Sequence, residues 1–169
     1  MNNAKALVIN REKVNVLIQF VVLVGIATAA PLIGQQAITG PIVNASLFLS
    51  TIFLGVRAGI LVGLLPSLIA LSVGLLPPVL APMIPFIMIG NVILVLCFDF
   101  LKKRNYWLRV VIASGLKFFF LFATSSIVVN LVLKTEIAKR VAGIMSWPQF
   151  LTALAGGLIA YLGIKSFKK

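Results

Sequence analysis

Residues 112–133 read IASGLKFFFLFATSSIVVNLVL, an apolar run that contains one basic residue, Lys117, and no acidic residue. A run of about 20 apolar residues is long enough to cross the hydrocarbon core of a bilayer as a helix. An ammonium group inside that core costs roughly 2.5 to 3.5 kcal/mol on insertion scales, so it requires a partner or a function. Two interpretations stay open for Lys117. The amine contacts a ligand or an internal polar network, or it bonds backbone carbonyls or snorkels toward the interface.

The composition outside this run is equally apolar. Of 169 residues, 61% are hydrophobic and 11% are charged, against about 25% charged in soluble domains. We therefore expect an all-α integral membrane protein, with residues 1–169 forming a single membrane domain. The net charge of +12 would suit nucleic acid, but the basic residues lie between apolar runs without interleaved aromatic residues. We therefore expect no nucleic-acid partner.

Hydrophobic length predicts a bundle of six transmembrane helices. The first apolar run follows basic residues and passes a small-residue site at 27–29, which resembles the end of a signal peptide. It continues to residue 33, so we favour an uncleaved first helix. The predicted spans lie near residues 14–33, 41–56, 58–76, 83–101, 107–133 and 148–167.

The basic residues are distributed unevenly between the two ends of these spans. One end carries three, partly offset by Glu136, and the other carries eleven. Because basic residues accumulate in cytoplasmic segments, both termini are predicted to be cytoplasmic. The eleven are Lys5, Arg11, Lys13, Arg57, Lys102, Lys103, Arg104, Arg109, Lys165, Lys168 and Lys169, and the three are Lys134, Lys139 and Arg140.

Catalytic groups are scarce in this chain. It has three acidic residues (Glu12, Asp99 and Glu136), one cysteine and no histidine. Paired carboxylates, a Ser–His arrangement and a metal cluster cannot be assembled from this set. The phosphate-binding glycine loop with Lys-Ser/Thr is also missing from the sequence. We expect neither an enzyme nor a bound cofactor.

Neutral hydrogen-bonding residues form a second candidate set. On the predicted spans Asn91 lies at a depth comparable to that of Lys117, and other members lie toward the exterior. They could line a cavity that opens outward with a cation at its floor, which would suit a solute with a carboxylate. For Asn44 and Asn91, hydrogen bonding between helices is an equal alternative to substrate binding. For Gln36 and Thr39, a simple loop role is an equal alternative. The predicted substrate-binding residues are Lys117, Asn91, Asn44, Gln36, Thr39, Asn130 and Gln149.

Small residues recur at helical spacing on two of the predicted spans. Gly25 and Ala29 share a face of the first span, and Gly59 and Gly63 share a face of the third. Such faces let helix backbones approach closely in lipid. Two interpretations stay open for each face, internal packing and the docking of another membrane subunit.

Several stretches carry a resemblance to a known family. They are TGPIVN at residues 39–44, FLGVRAGILVG at 53–63 and the proline-rich segment at 77–86. With six spans and cytoplasmic termini, the chain resembles the substrate-binding subunit, or S component, of energy-coupling factor vitamin transporters over nearly its whole length. The resemblance implies a multi-pass protein of a prokaryotic plasma membrane. It also implies partners, a transmembrane T subunit and two cytoplasmic ATPases.

In that family the subunit captures a small water-soluble vitamin outside, topples in the membrane, and releases it inside when ATP is used. The small face of the first span docks the T subunit, a role that Gly25 and Ala29 match in kind. Two other classes remain open. A self-sufficient carrier or channel is disfavoured because no inverted repeat and no intramembrane acid are visible. An accessory membrane protein would bind no small ligand.

Overall fold

The computed structural model describes residues 2–72, 78–132, 143 and 145–167, with side chains described for 11–69, 71–72, 81–128, 143 and 145–166. Within these ranges the chain is helical and forms no strand. Six α-helices follow one another, and two 3₁₀ segments precede the second and fourth of them. The α-helices are α1 (Asn2–Ala29), α2 (Gln36–Leu54), α3 (Val56–Ser72), α4 (Ile84–Phe100), α5 (Tyr106–Val132) and α6 (Trp147–Phe167), and the 3₁₀ segments are Ala30–Ile33 and Pro78–Met83.

Among the described residues, five segments are long and apolar enough to cross a membrane: Arg11–Ile33, Gln36–Leu54, Ala81–Phe100, Tyr106–Val128 and Trp147–Ser166. This agrees with five of the six predicted spans and with a multi-pass membrane protein. The sixth prediction, 58–76, falls on α3, whose described apolar part, Val56–Ile69, is shorter than a span requires. The count of six and the cytoplasmic termini stay predictions.

The second helix begins earlier than the sequence indicated. Its first residue is Gln36, so Pro41 lies inside α2 rather than at its start. The prediction placed the boundary at Pro41 because proline ends most helical patterns on its N-terminal side. Here the missing proline N–H leaves only the carbonyl of Ala37, near the exposed helix end, without its intrahelical donor. Gln36 and Thr39 therefore belong to the first turns of a helix rather than to a loop, and their substrate-binding role stays a prediction.

The backbones of α2 and α6 pack closely against each other. A Cβ atom added to Gly156 of α6 would lie 2.6 Å from Asn44 Cβ, 2.8 Å from Ala45 N and 2.9 Å from Pro41 O, all on α2. On α2, a Cβ added to Gly40 would lie 2.7 Å from Thr152 Cβ of α6. The two backbones can approach this far because neither glycine has a side chain.

Aromatic side chains close one end of the bundle. The Phe48 and Phe98 rings lie 4.8 Å apart between α2 and α4, and Phe98 meets Tyr106 of α5 edge-on at 5.9 Å. The Tyr106 hydroxyl donates to the Gly157 carbonyl of α6 at 2.7 Å. The ends of α2 and α4 therefore meet the start of α5 and the last turns of α6 in one layer, where buried aromatic area stabilises the fold.

The α2–α6 contact yields a prediction about stability. We expect Gly156→Ala to lower the free energy of unfolding by about 1 to 3 kcal/mol, because the new methyl group meets backbone that cannot rotate away. Gly25→Ala is the matched control, since an added Cβ there has nothing within 4 Å. Thermal unfolding in detergent measures both variants, and equal midpoints would contradict the proposed close approach.

Candidate functional site

Lys117 lies on the inner face of α5 with 3% of its surface exposed. Its amine donates to Asn44 Oδ1 at 2.7 Å and to Asn91 Oδ1 at 2.8 Å. Asn44 comes from α2 and Asn91 from α4, so three helices meet at one nitrogen atom. We call these three residues the lysine–amide network.

Both asparagines are fixed by their own donors. Asn91 Nδ2 donates to the Gly63 carbonyl of α3 at 2.8 Å, and Asn44 Nδ2 donates to the Gly40 carbonyl one turn earlier on α2 at 2.9 Å. Each amide group therefore presents its oxygen to the lysine while its nitrogen is held by backbone. The hydrogen-bonded chain links α2, α3, α4 and α5.

The structure places the Lys117 amine in an internal polar network, which is one of the possibilities that the sequence left open. Hydrogen bonds to a charged group are worth about 1.5 to 3 kcal/mol each, so two amide oxygens offset a cost of roughly 2.5 to 3.5 kcal/mol for an ammonium at membrane depth. The amide oxygens are neutral, so they do not balance the positive charge of the amine. Of the acids whose placement is described, Asp99 pairs with Lys102 at 3.6 Å and Glu12 is exposed on α1.

The network has more donors than acceptors to receive them. A lysine ammonium carries three N–H groups and an asparagine amide carries two. Within the described residues two of the ammonium N–H groups and one from each amide are bonded. One N–H from each of the three side chains is thus left without a described acceptor, around a positive charge. Such a surplus favours an anionic oxygen as a further partner.

Glycine residues hold the asparagines close to their neighbours. A Cβ added to Gly63 would lie 3.1 Å from Asn91 Cβ, and one added to Gly156 would lie 2.6 Å from Asn44 Cβ. The network is therefore enclosed by backbone from α3 and α6 as well as by its own helices. Enclosure lowers the local dielectric constant, which strengthens each of these hydrogen bonds.

The other predicted binding residues do not join the network. Thr39 Oγ1 donates to the Ala30 carbonyl at 3.0 Å, which ties α2 to the preceding 3₁₀ segment. Gln36 is exposed at the first turn of α2. Gln149 is buried in the first turn of α6, with Nε2 4.0 Å from Met145 Sδ and a further contact besides. The side chain of Asn130 lies outside the described residues.

The sequence analysis missed an aromatic group that joins α5 to the start of α6. Phe118, the residue after Lys117, stacks on Trp147 at 5.3 Å and lies 6.0 Å from Phe150. Trp147 and Phe150 flank Gln149 at the start of α6. The signal available in the sequence was a tryptophan at the beginning of a span, a position that the membrane interface alone would also explain.

The four small residues predicted to dock a partner fall into two pairs. Gly25 and Ala29 lie exposed on α1, and a Cβ at Gly25 would have nothing within 4 Å. Gly59 and Gly63 are buried, and a Cβ at Gly59 would lie 3.0 Å from Val95 of α4. Of the two interpretations left open for Gly59 and Gly63, the structure favours internal packing, because α4 covers that face.

Comparison with known proteins adds no relative: no family model matches the chain, and no curated protein and no solved structure is significantly similar to it.

The network predicts energetic coupling between its members. Asn91→Leu leaves the Lys117 amine with one acceptor and the Gly63 carbonyl without its side-chain donor, so we expect a loss of about 1.5 to 3 kcal/mol in unfolding free energy. Adding Lys117→Met removes the stranded charge, and the double variant should lose less than the sum by about 0.5 to 3 kcal/mol. Unfolding of all four proteins measures this cycle.

A second cycle supplies the control. Ser125 is buried on the same helix and donates to the Phe122 carbonyl of its own turn at 2.9 Å. Ser125→Ala and Lys117→Met should therefore combine additively. Additive effects in the cycle of Lys117 with Asn91 would show that the lysine–amide bonds contribute nothing to stability.

Proposed function

We propose that this chain is the substrate-capture subunit of an energy-coupling factor importer. It binds a small, water-soluble, vitamin-like solute with a carboxylate from outside. It delivers the solute inward when coupled to a transmembrane T subunit and two cytoplasmic ATPases, in the plasma membrane of a prokaryote. The proposal combines the sequence resemblance with the chemistry of the lysine–amide network. The chain acts as a receptor and contributes no catalytic step.

The observation that carries the proposal is the unneutralised cation at the meeting point of α2, α4 and α5. One N–H group of each side chain in the network has no described acceptor, and the described residues supply no carboxylate to these three groups. A solute carboxylate has four acceptor positions, enough for all three donors. Phe118, which follows Lys117 on α5, packs with the aromatic residues at the start of α6, and a ring or aliphatic chain beside the carboxylate would meet this apolar surface.

The exposed small face of α1 supports the proposed partnership. Gly25 and Ala29 lie one helical turn apart, and neither is covered by another described helix. A partner helix could approach the α1 backbone closely along this face. The internal position of Gly59 and Gly63 leaves α1 as the docking element of the proposal.

A second candidate function is favoured by one specific observation. The Lys117 amine already has two protein acceptors, so the network could serve packing alone in an accessory membrane protein without a small ligand. Buried polar groups that specify one arrangement of helices are known in other proteins. The two candidates differ in whether a carboxylate stabilises the purified chain.

Matched acids and amides test solute binding. We expect an acid such as nicotinate or lipoate to raise the unfolding temperature of the purified chain, because only a ligand of the native state does so. Nicotinamide and lipoamide, which lack the carboxylate, should have no effect. Lys117→Met should weaken binding of the acid by more than about tenfold, the equivalent of one charge-assisted hydrogen bond.

Ser125→Ala is the control variant for this experiment, since its hydroxyl bonds within its own helix. It should keep the response of the natural chain to the acid. If pantothenate, nicotinate and lipoate all leave the unfolding temperature unchanged, the accessory function replaces the proposed one.

Docking through α1 is tested by copurification. We expect Gly25→Leu with Ala29→Leu to abolish copurification with a coexpressed T subunit and its ATPases, because bulky side chains separate the two backbones. The unfolding temperature of the isolated chain should stay unchanged, since this face contacts no described residue of the bundle. Retained copurification would remove α1 from the proposed interface.

A further inference from the structure

The end of the bundle that carries the aromatic layer also carries a group of basic residues. Lys103 and Arg104 lie exposed between α4 and α5, and Lys165 lies exposed in the last turns of α6. Lys102 is the one neighbour with a described acidic partner, Asp99 at 3.6 Å. The remaining cations therefore present unneutralised charge at the edge of the membrane-spanning helices.

A pair of aromatic rings, of which Trp107 is the exposed member, lies near these cations. Trp107, with 42% of its surface exposed, lies 5.3 Å from the Tyr161 ring, so it bridges α5 and α6. Lys165 Nζ lies 5.3 Å from the centre of the same Tyr161 ring, within the range of a cation–π contact. Arg104 directly precedes Asn105, whose Oδ1 accepts from the Trp107 backbone N–H at 2.9 Å. Tryptophan and tyrosine are the residues that concentrate at the level of lipid headgroups.

An apolar surface continues from this pair along both helices. Val111 lies one turn beyond Trp107 on α5, and Leu158 lies one turn before Tyr161 on α6. Because the two helices are antiparallel here, both residues lie farther into the membrane than the aromatic pair. Val111 and Leu158 are each nearly half exposed, and Leu162, the residue after Tyr161, is more than half exposed. The surface thus has cations at the level of the lipid headgroups, apolar side chains at the depth of the acyl chains, and aromatic rings between the two.

We propose that this surface binds an anionic phospholipid. Arg104 and Lys165 contact the phosphate or another anionic group of the lipid headgroup. Trp107 and Tyr161 lie at the level of the glycerol. An acyl chain packs along Val111 and Leu158. A lipid is the occupant that matches all three layers, since a free phosphate would leave the aromatic and apolar surfaces unused. Each basic residue near such a headgroup contributes about a fivefold gain in affinity.

The test uses the full chain in nanodiscs of phosphatidylcholine with and without phosphatidylglycerol. We expect phosphatidylglycerol to raise the unfolding temperature of the natural chain and to be retained in native mass spectra. Arg104→Gln with Lys165→Gln should weaken that binding roughly 10- to 30-fold, the product of two such losses. Arg11→Gln with Arg57→Gln is the matched control, because it removes the same charge at the same end from α1 and α3, and it should keep the effect.

Three results would overturn the proposal. The first is an equal loss of binding in the two double variants, which would mean a diffuse charge effect. The second is equal stabilisation of the chain by phosphatidylglycerol and phosphatidylcholine, and the third is equal stabilisation by inorganic phosphate. A second measurement does not depend on the variants. In a Trp147→Phe background, Trp107 fluorescence should be quenched more by spin-labelled phosphatidylglycerol than by spin-labelled phosphatidylcholine, and equal quenching would also count against the site.

Discussion

The structure depends on the bonds that join the Lys117 amine to two asparagine side chains on different helices. An ammonium inside a membrane bundle is tolerated only where acceptors are fixed in place, and here the acceptors are fixed by backbone carbonyls of α2 and α3. Each of these groups needs the others. Without the lysine the amide oxygens lack a donor, and without the amides the amine is stranded in an apolar interior. The network therefore specifies how α2, α4 and α5 face one another.

Close packing makes this network possible. Asparagine is short, so its amide reaches a lysine on another helix only when the two backbones are near. Gly90 allows α4 to approach α5, since a Cβ there would lie 3.2 Å from Leu121 Cγ. Gly156 and Gly63 let α6 and α3 pass directly over Asn44 and Asn91. In lipid, where burial of apolar surface does not favour association between helices, contact of this kind and interhelical hydrogen bonds are the main stabilising terms. The hydrogen bonds of the network and the close contacts at these glycines therefore depend on each other.

The same network links stability with the proposed function. Its hydrogen bonds satisfy the amine but do not neutralise it, so the native state keeps a positive site with unused donors. A protein that required only packing could place an apolar residue there, as replacement of buried charges by apolar residues is often neutral or stabilising. Retention of a cation without a carboxylate is physically reasonable when a ligand supplies the negative charge. The proposed solute site lies at the lysine–amide network, whereas the proposed lipid site lies at the end of the bundle that carries the aromatic layer.

Much of the helical layout was fixed by local sequence. The span predicted at 83–101 matches α4, and those at 107–133 and 148–167 match α5 and α6 within a residue, because hydrophobic length is a property of consecutive residues. The start of α2 was predicted at Pro41 but lies at Gln36. A proline near a helix end removes only one exposed hydrogen bond, so the helix continues through it.

Lys117, Asn44 and Asn91 were all recognisable as unusual from the sequence. Their mutual bonds were decided only by the tertiary structure. Lys117 lies 73 residues from Asn44 and 26 from Asn91, and a neutral amide can serve a ligand, another helix or a cation equally well. For the same reason the sequence could not separate the internal face of Gly59 and Gly63 from the exposed face of Gly25 and Ala29. Small residues permit close approach, but which helix approaches is a property of the assembled bundle.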